Sequence, residues 1–421
     1  MTTSSARAAV DTSISLVSML RRATVDVNGR SVGTLQDAII TLRDEDYPLL
    51  SGLVIVVRGS QVFVPADDII SMDGEMVRLR EVSHNTGPFE RQHGEVLLKR
   101  DVLGHRLVDL IRGVFVTAYD IRLAAVDGGD WTAVGVDVHK HGWFHFGTHE
   151  THAARDWRDF ILLVANQRSA NPRRISRIRR LKPAQIADII EDASRDEQDL
   201  LLARVHTDPE LEANVFEELD DHSQAKLLKA RGDSDIAELL SRMRADDAAD
   251  AIMDLPQERR QTVLRLLPQP QNTKVLTLLG YNHATAGGLM GTDFLALYEG
   301  QTVADAVQMV RAATTKQPEA LTSIHSLHSD GRLTGTVSLV RAIQLDPTTL
   351  LRDAADAQTI SAAPEDDIIA VVTRMADFNL LSLPILDPGG RMLGIVTVDD
   401  ALEAAIPRDW LRRKAVRSKI V

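Results

Sequence analysis

The sequence predicts a multidomain α+β protein, in which two small β-barrels precede an α-helical solenoid and a duplicated α/β region. Three observations predict this order. Strand-like alternation of apolar residues fills the first third, helical periodicity fills the middle, and a β-α-β-β-α pattern occurs twice in the last third. The length of 421 residues also corresponds to roughly three domains.

Composition excludes several classes of function. With Lys+Arg 48 against Asp+Glu 60, the net charge is −12, so we expect no nucleic-acid partner, which would require a basic surface. The absence of cysteine excludes disulfides, thiolate metal sites and cysteine nucleophiles. No apolar run reaches about 18 residues and the first residues carry no signal core, so we expect a cytoplasmic protein.

Two D-x-x-G turns mark the predicted barrels. Asp26 with Gly29 recurs as Asp101 with Gly104, 75 residues later, and each turn is surrounded by period-two apolar patterns. We predict barrels over residues 15–82 and 92–165. Both resemble PRC-barrel domains, although Val108 stands where the second copy would carry the last glycine of that pattern. This resemblance implies adaptor modules that bind partners.

A histidine cluster follows the second barrel pattern. A metal site and a solvated strand edge beside a tryptophan-rich core are the two interpretations, and the usual spacing of metal ligands is missing. The cluster lies within 14 residues and comprises His139, His141, His145, His149 and His152.

The predicted solenoid spans residues 175–280. Short amphipathic segments separated by prolines succeed one another there, and such helices bury their apolar stripes only by stacking. Six arginines lie between residues 168 and 180, at the start of this region, which indicates a solvated linker and helix start or a docking segment for an acidic partner or anionic lipid.

One solenoid segment carries an acidic row. Asp246, Asp247, Asp250 and Asp254 would lie largely on one helix face, where like charges repel one another. A hard cation such as Mg²⁺ or Ca²⁺ would offset that repulsion through oxygen ligands. The alternative is an ordinary solvated helix surface with a favourable helix start.

The last third contains a second repeat. Residues 331–338 match residues 390–397, 59 positions later, and each copy lies between a strand and a helix. The pattern resembles a CBS-domain pair, predicted over residues 286–405. That resemblance implies adenine-nucleotide binding in a cleft, with Thr397 and Asp400 as the ribose-binding motif. Arg341 replaces the acid in the first copy.

The order of solenoid, junction and CBS pair resembles the cytosolic region of the MgtE magnesium transporter family. The motifs that carry the resemblance are residues 246–250, 286–290 and 397–400. It implies Mg²⁺ bound between the solenoid and the CBS pair, and Asn379 replaces one acidic position of the family. The carboxylates that the resemblance assigns to metal binding are Asp246, Asp250, Asp367, Asp400 and Glu403.

The leading functional hypothesis is therefore a non-catalytic, Mg²⁺-responsive regulator, a homodimer through the CBS pair, acting on a membrane transport partner. An adenine-nucleotide sensor and a purely structural adaptor are the alternatives. Enzymatic activity is not expected, because the familiar catalytic motifs are absent. The last segment, residues 406–421, is a basic tail that is either frayed or docks at the inner face of the membrane.

Overall fold

The computed structural model describes residues 13–42, 47–73, 75–80, 91–92, 94–125, 130–139, 154–163, 175–314 and 318–406. The chain divides into two compact units, Met1–Leu219 and Asp220–Val421.

The first unit begins with a β-region. Its elements are β1 (Ile14–Ser15), α1 (Leu16–Met19), β2 (Ala23–Val25), β3 (Ser31–Thr41), β4 (Leu49–Val57), β5 (Ser60–Pro65), β6 (Ile69–Met72), β7 (Val77–Leu79), β8 (Glu95–Leu97), a π-helical turn (Leu98–Val102), β9 (Arg106–Asp109), β10 (Val114–Thr117), β11 (Asp120–Ala125), β12 (Trp131–Asp137), β13 (Arg155–Asp156) and β14 (Phe160–Leu162). Short 3-10 turns cover Ala66–Asp68 and Trp157–Asp159.

These strands form a barrel-like sheet that combines both predicted barrel ranges. Its order is β1-β11-β12-β4-β3-β2-β7-β6, with β13, β5 and β8 attached to β12, β4 and β3, and β10-β9-β14 form a second sheet. One apolar core includes residues of both ranges, among them Leu53, Val134 and Phe160. The barrel boundaries 15–82 and 92–165 stay predictions, but strands of both ranges pair directly.

The structural repeat differs from the predicted alignment. Arg21 donates its N–H to Leu35 and Gly104 donates its N–H to Ala118, so the equivalent positions lie 83 residues apart. Arg21 and Gly104 both have positive φ, at 69° and 78°. Pairing Asp26 with Asp101 was therefore wrong, because Asp101 accepts a hydrogen bond from the upstream N–H of Leu97 instead of closing a turn after it.

Each repeat also caps an element of the other repeat. Asp37 on β3 accepts the N–H groups of Lys99 and Arg100 at the start of the π-helical turn. Asp120 on β11 accepts the N–H of Val17 at the start of α1. Both aspartates are buried, so each must find partners inside the protein. The two repeats are thus interlocked by reciprocal hydrogen bonds.

Four helices complete the first unit: α2 (Ile175–Ile178), α3 (Pro183–Asp192), α4 (Arg195–Val205) and α5 (Pro209–Glu217). Polar contacts join them to the β-region. Arg106 pairs with Asp192 at 2.8 Å, and Arg204 donates to the carbonyl of Leu162 at 2.7 Å. The first helices of the predicted solenoid therefore pack with the three-stranded sheet β10-β9-β14.

The second unit begins with five helices: α6 (Asp221–Lys229), α7 (Asp233–Leu240), α8 (Ala245–Met253), α9 (Gln257–Leu266) and α10 (Gln269–Leu278). Pro256 and Pro268 stand at the N-terminal caps of α9 and α10, where a missing N–H and a fixed φ begin a helix without cost. The predicted succession of short helices is confirmed.

A duplicated α/β region follows. It comprises α11 (Ala286–Leu289), β15 (Leu295–Tyr298), α12 (Val303–Ala312), β16 (Ser323–Leu327), β17 (Leu333–Ser338), α13 (Leu339–Gln344), α14 (Leu351–Ala354), α15 (Ile368–Asp377), β18 (Ser382–Leu386), β19 (Met392–Thr397) and α16 (Val398–Ala405). The strands form the sheets β15-β16-β17 and β18-β19.

The junction before this region depends on two glycines. A Cβ on Gly287 would lie 2.7 Å from the Tyr281 ring, and one on Gly288 would lie 2.4 Å from the carbonyl oxygen of Asn282. Gly287 also donates its N–H to the carbonyl of Pro364 in the second repeat. The two glycines therefore permit the junction to lie close to the second repeat. The elements described above confirm the predicted multidomain α+β fold class.

Candidate functional site

Helix α8 carries the predicted acidic row. Its alanines and Ile252 pack inward, with Ala248 and Ala251 fully buried. Asp246, in the first turn, is drawn into this packing and is only 8% exposed, whereas Asp250, one turn later, lies at the exposed edge. A buried carboxylate at this position needs positive charge or hydrogen-bond donors nearby.

Arg244 supplies positive charge at the start of α8. Its Nε lies 2.6 Å from Oδ2 of Asp247, within the same helix turn. Its Nη1 lies 2.7 Å from Oδ1 of Asp400, which is 156 residues further along the chain. The guanidinium therefore connects α8 with the beginning of α16.

Asp400 occupies the first turn of α16, which Thr397 caps. The Thr397 hydroxyl donates to Oδ2 of Asp400 at 2.5 Å, while Oδ1 accepts from Arg244. Both carboxylate oxygens of Asp400 are thus engaged, and its side chain is 11% exposed. The helix start itself favours a negative charge here.

The carboxylates on α8 resist ionisation. Burial raises the pKa of Asp246, and Asp400 adds to this effect, while Arg244 opposes it. Asp250 keeps part of its surface in contact with solvent, but the protein around it removes enough water to raise its pKa to about 6, with a further contribution from Asp246. A raised carboxyl pKa means that the negative form is poorly stabilised in the fold.

Glu403 belongs to the same electrostatic environment. It lies one turn after Asp400 on α16, and partial desolvation followed by repulsion from Asp400 and Asp221 raises its pKa, against the effect of Arg244. The opposing carboxylates also act on Arg244, whose pKa they raise in spite of its burial. We call Asp246, Asp247, Asp250, Asp400 and Glu403 the carboxylate cluster.

Four of the five predicted metal-binding residues therefore share one region, and the fifth has a separate structural task. Asp367 caps α15, where its Oδ1 accepts the N–H of Ile369 at 2.8 Å. Its backbone also forms an antiparallel bridge with Thr285 of the junction. A role for Asp367 in metal binding stays a prediction.

Sequence reasoning missed three contributors. Arg244 is the most important, and its signal was its position, because a helix start disfavours a cation and prefers Ser, Thr, Asp or Asn at the cap. Asp221 and His283 also act on the pKa of Asp250, from α6 and from the junction. No local pattern marks these two, since the fold alone brings them near α8.

The donor chemistry of the carboxylate cluster fits Mg²⁺, which prefers oxygen ligands. The arrangement is nevertheless not a finished coordination shell. Within the ranges that the structure describes, no three His, Asp or Glu side chains are placed to hold one metal ion. Instead, the guanidinium of Arg244 neutralises Asp400 and Asp247 directly.

The two copies of the duplicated region differ at the predicted nucleotide motif. Thr397 and Asp400 are hydrogen-bonded to each other at the start of α16. At the equivalent place in the first copy, Ser338 caps α13 and accepts the N–H of Arg341. Only the second copy keeps a carboxylate there, and ribose binding would compete with Arg244 for it.

Some predicted features lie outside the described residues. Of the five histidines in the predicted cluster, the structure describes only His139, and its Nδ1 lies 3.0 Å from Asp137. Most of the arginine-rich segment 168–180 and residues 407–421 of the basic tail are outside as well. None of the helices in the described ranges has the length and hydrophobicity needed to cross a membrane.

Comparison with known families identifies the middle and last parts of the chain. Residues 181–284 match the family model of the MgtE intracellular N domain, and residues 341–406 match that of the CBS domain. Residues 181–284 are thus similar to an MgtE N domain and residues 341–406 to a CBS domain, and the predicted resemblance to the MgtE cytosolic region is confirmed.

Two curated relatives are magnesium transporters. The chain is 35% identical over 123 residues to the magnesium transporter MgtE of Thermus thermophilus, covering 29% of this chain and 27% of the relative. It is 32% identical over 126 residues to that of Enterococcus faecalis, covering 30% and 28%. The chain thus spans little more than a quarter of the length of these relatives.

Two solved structures extend the similarity over more than half of the chain. The cytosolic domain of the Mg²⁺ channel MgtE in complex with ATP matches at 27% identity and a TM-score of 0.52, covering 57% of this chain and 96% of that one. The soluble part of a magnesium transporter matches in fold at 24% identity and a TM-score of 0.51, covering 55% and 90%.

Proposed function

We propose that this chain is a non-catalytic regulator whose second unit responds to Mg²⁺ and acts on a membrane transport partner. The observation that carries the proposal is the contact between α8 and α16. Through it, and in addition to the effect of burial, Asp400 of the CBS-like region raises the pKa of Asp246 in the MgtE-N-like region, and Asp221 raises the pKa of both Asp250 and Glu403.

The chemical basis is the cost of gathering these carboxylates. Like charges in a partly dehydrated region repel one another strongly, so the region is more stable with α8 and α16 in contact when positive charge is present. A bound Mg²⁺ would supply two such charges. Asp246 and Asp250 would offer oxygens from α8, Asp400 and Glu403 would offer oxygens from α16, and Asp367 is the fifth proposed ligand.

The proposed partners are a second copy of this chain and a transporter of the kind to which its relatives belong. Several apolar side chains of the CBS region are exposed, and such patches mark binding surfaces. They are Val340, Ile343, Ile369, Phe378, Leu381 and Leu402. We propose that they form a homodimer interface and that the dimer binds a membrane protein at the inner face of the membrane.

Small-angle scattering of the full chain tests the Mg²⁺ response. We expect the radius of gyration to fall as Mg²⁺ is added, and the double variant Asp250→Asn with Asp400→Asn to lose this response. Asp235→Asn with Asp353→Asn is the matched control, because it removes the same charge from exposed positions outside the carboxylate cluster. A double variant that contracts like the native chain would rule out these carboxylates as the Mg²⁺ site.

A second candidate function is adenine-nucleotide sensing at Thr397 and Asp400. The hydrogen-bonded pair at the start of α16 favours it, and a structural relative is described as a complex with ATP. Calorimetry with ATP and AMP, with and without Mg²⁺, measures this activity directly. Nucleotide binding that is lost in Asp400→Asn would support this function. No heat of binding in the native chain with either nucleotide would contradict it.

A further inference from the structure

The cap residue of α8 is unusual for its position. Arg244 is the residue directly before Ala245, with φ −56° and ψ 148°, and no side-chain cap hydrogen bond is formed there. Helix starts favour Ser, Thr, Asp or Asn, and the partial positive charge of the helix start repels a cation. Local helix energetics therefore do not explain an arginine here.

The contacts of Arg244 explain its presence. Its side chain is 26% exposed and makes short ion pairs with Asp247 and Asp400, whose side chains are 22% and 11% exposed. Asp246 also lies close enough to contribute to the charge balance of the guanidinium. One fixed cation thus faces carboxylates from both helices, the position in which a divalent ion would otherwise be needed.

We propose that Arg244 is a tethered counter-ion that holds α8 against α16 in the metal-free protein and raises the Mg²⁺ concentration at which the carboxylate cluster responds. The inference rests on the proposed Mg²⁺ response and adds its regulation. Arg244 and a divalent cation compete for the same oxygen of Asp400, so each weakens the binding of the other.

The charge count shows why the cluster would still respond to Mg²⁺. Asp246, Asp247, Asp250, Asp400 and Glu403 carry five negative charges when ionised, and within the described residues the single charge of Arg244 pairs with Asp247 and Asp400. Arg244 therefore sets a threshold for Mg²⁺ without removing the need for it.

Arg244→Ser is the most informative variant. Serine is a favourable cap, so the variant removes the charge while supporting the start of α8, and a loosened contact cannot be attributed to an unwound helix. Arg244→Gln is the second variant, because it retains hydrogen-bond donors without the charge. Arg242→Gln is the control, since that exposed arginine precedes the same helix but lies 3.7 Å from Glu238 rather than against Asp400.

The absence of cysteine allows a direct distance measurement. Nitroxide labels at Met253→Cys on α8 and Ala405→Cys on α16 report the separation of the two helices in the full chain by pulsed electron paramagnetic resonance. Without Mg²⁺, we expect the native background to populate the short separation of α8 and α16 in part, and Arg244→Ser to populate it less.

Titration with Mg²⁺ gives the decisive comparison. We expect Arg244→Ser and Arg244→Gln to reach the Mg²⁺-bound distance with a midpoint lower than that of the native chain by on the order of tenfold, the effect of one unit charge on a neighbouring divalent ion. Equal midpoints in the native and Arg244→Ser proteins, or a native metal-free distribution in Arg244→Ser, would overturn the inference while preserving the proposed function. No Mg²⁺ response in either protein would overturn the proposed function and this inference with it.

Discussion

At the residue scale, Asp250 shows that the fold disfavours the ionised form of a carboxylate in the cluster. Its pKa is raised to about 6 by loss of surrounding water, with repulsion from Asp246, Asp254 and Asp221 set against attraction by His283. The folded protein thus holds the proton of Asp250 more tightly than the unfolded chain does. The contribution of Asp250 to the free energy of unfolding therefore falls as the pH rises from about 4 to 6, and its full destabilising effect is present above pH 6.

Because ionised Asp250 destabilises the fold, its removal has a predictable effect on thermal unfolding in metal-free buffer. We expect the variant to unfold at a temperature a few degrees higher than the native chain at pH 7.5, and the difference to shrink as the pH falls to 5. Calorimetric unfolding in the presence of a chelator measures it, with Asp235→Asn as the control for loss of an exposed carboxyl. A constant difference across this range would contradict the raised pKa.

The sequence allowed part of this site to be predicted. Asp246 and Asp250 lie one helical turn apart, as do Asp400 and Glu403, so each pair could be placed on one helix face. Their meeting requires two helices 156 residues apart, and only resemblance to a known family suggested it. The role of Arg244 was not predicted, because its partner Asp400 is remote in sequence. Its position at a helix start was nevertheless a usable signal.

At the scale of elements, the β-region depends on hydrogen bonds between its two repeats. Asp37 satisfies two N–H groups of the π-helical turn, and Asp120 satisfies one at the start of α1. The sequence pattern misled the repeat alignment because D-x-x-G occurs at Asp26 and again at Asp101, where the aspartate performs different tasks. The pairing of distant strands, which defines the true repeat, leaves no local signature.

These caps predict a specific loss of stability. We expect Asp37→Ala to lower the free energy of unfolding by about 2 kcal/mol, because two partly buried N–H groups lose their acceptor. Asp120→Ala should cost less, since one inter-repeat bond is lost. Urea unfolding of the full chain measures both, and the exposed Asp67→Ala is the control. Losses no greater than that of the control would show that the reciprocal bonds are not needed.

At the scale of the whole molecule, the exposed apolar side chains of the CBS region predict self-association. Ile343 on α13 is 65% exposed and Ile369 on α15 is 75% exposed, so replacing them should disturb the fold little. We expect Ile343→Glu with Ile369→Glu to convert a dimer of about twice 46.3 kDa into a monomer in analytical ultracentrifugation. Ile111→Glu, at a 61% exposed position of the first unit, is the control. A native chain that sediments as a monomer would contradict this interface.

The central claim is that α8 and α16 respond to Mg²⁺ as one site. Hydrogen–deuterium exchange measured by mass spectrometry tests it most directly, because it reports local opening of each helix separately in the full chain. We expect Mg²⁺ to slow exchange in peptides covering residues 245–253 and 398–405 over the same concentration range, and this protection to disappear in Asp250→Asn with Asp400→Asn. Exchange in both helices that is unchanged by Mg²⁺, or protection that persists in the double variant, would contradict the claim.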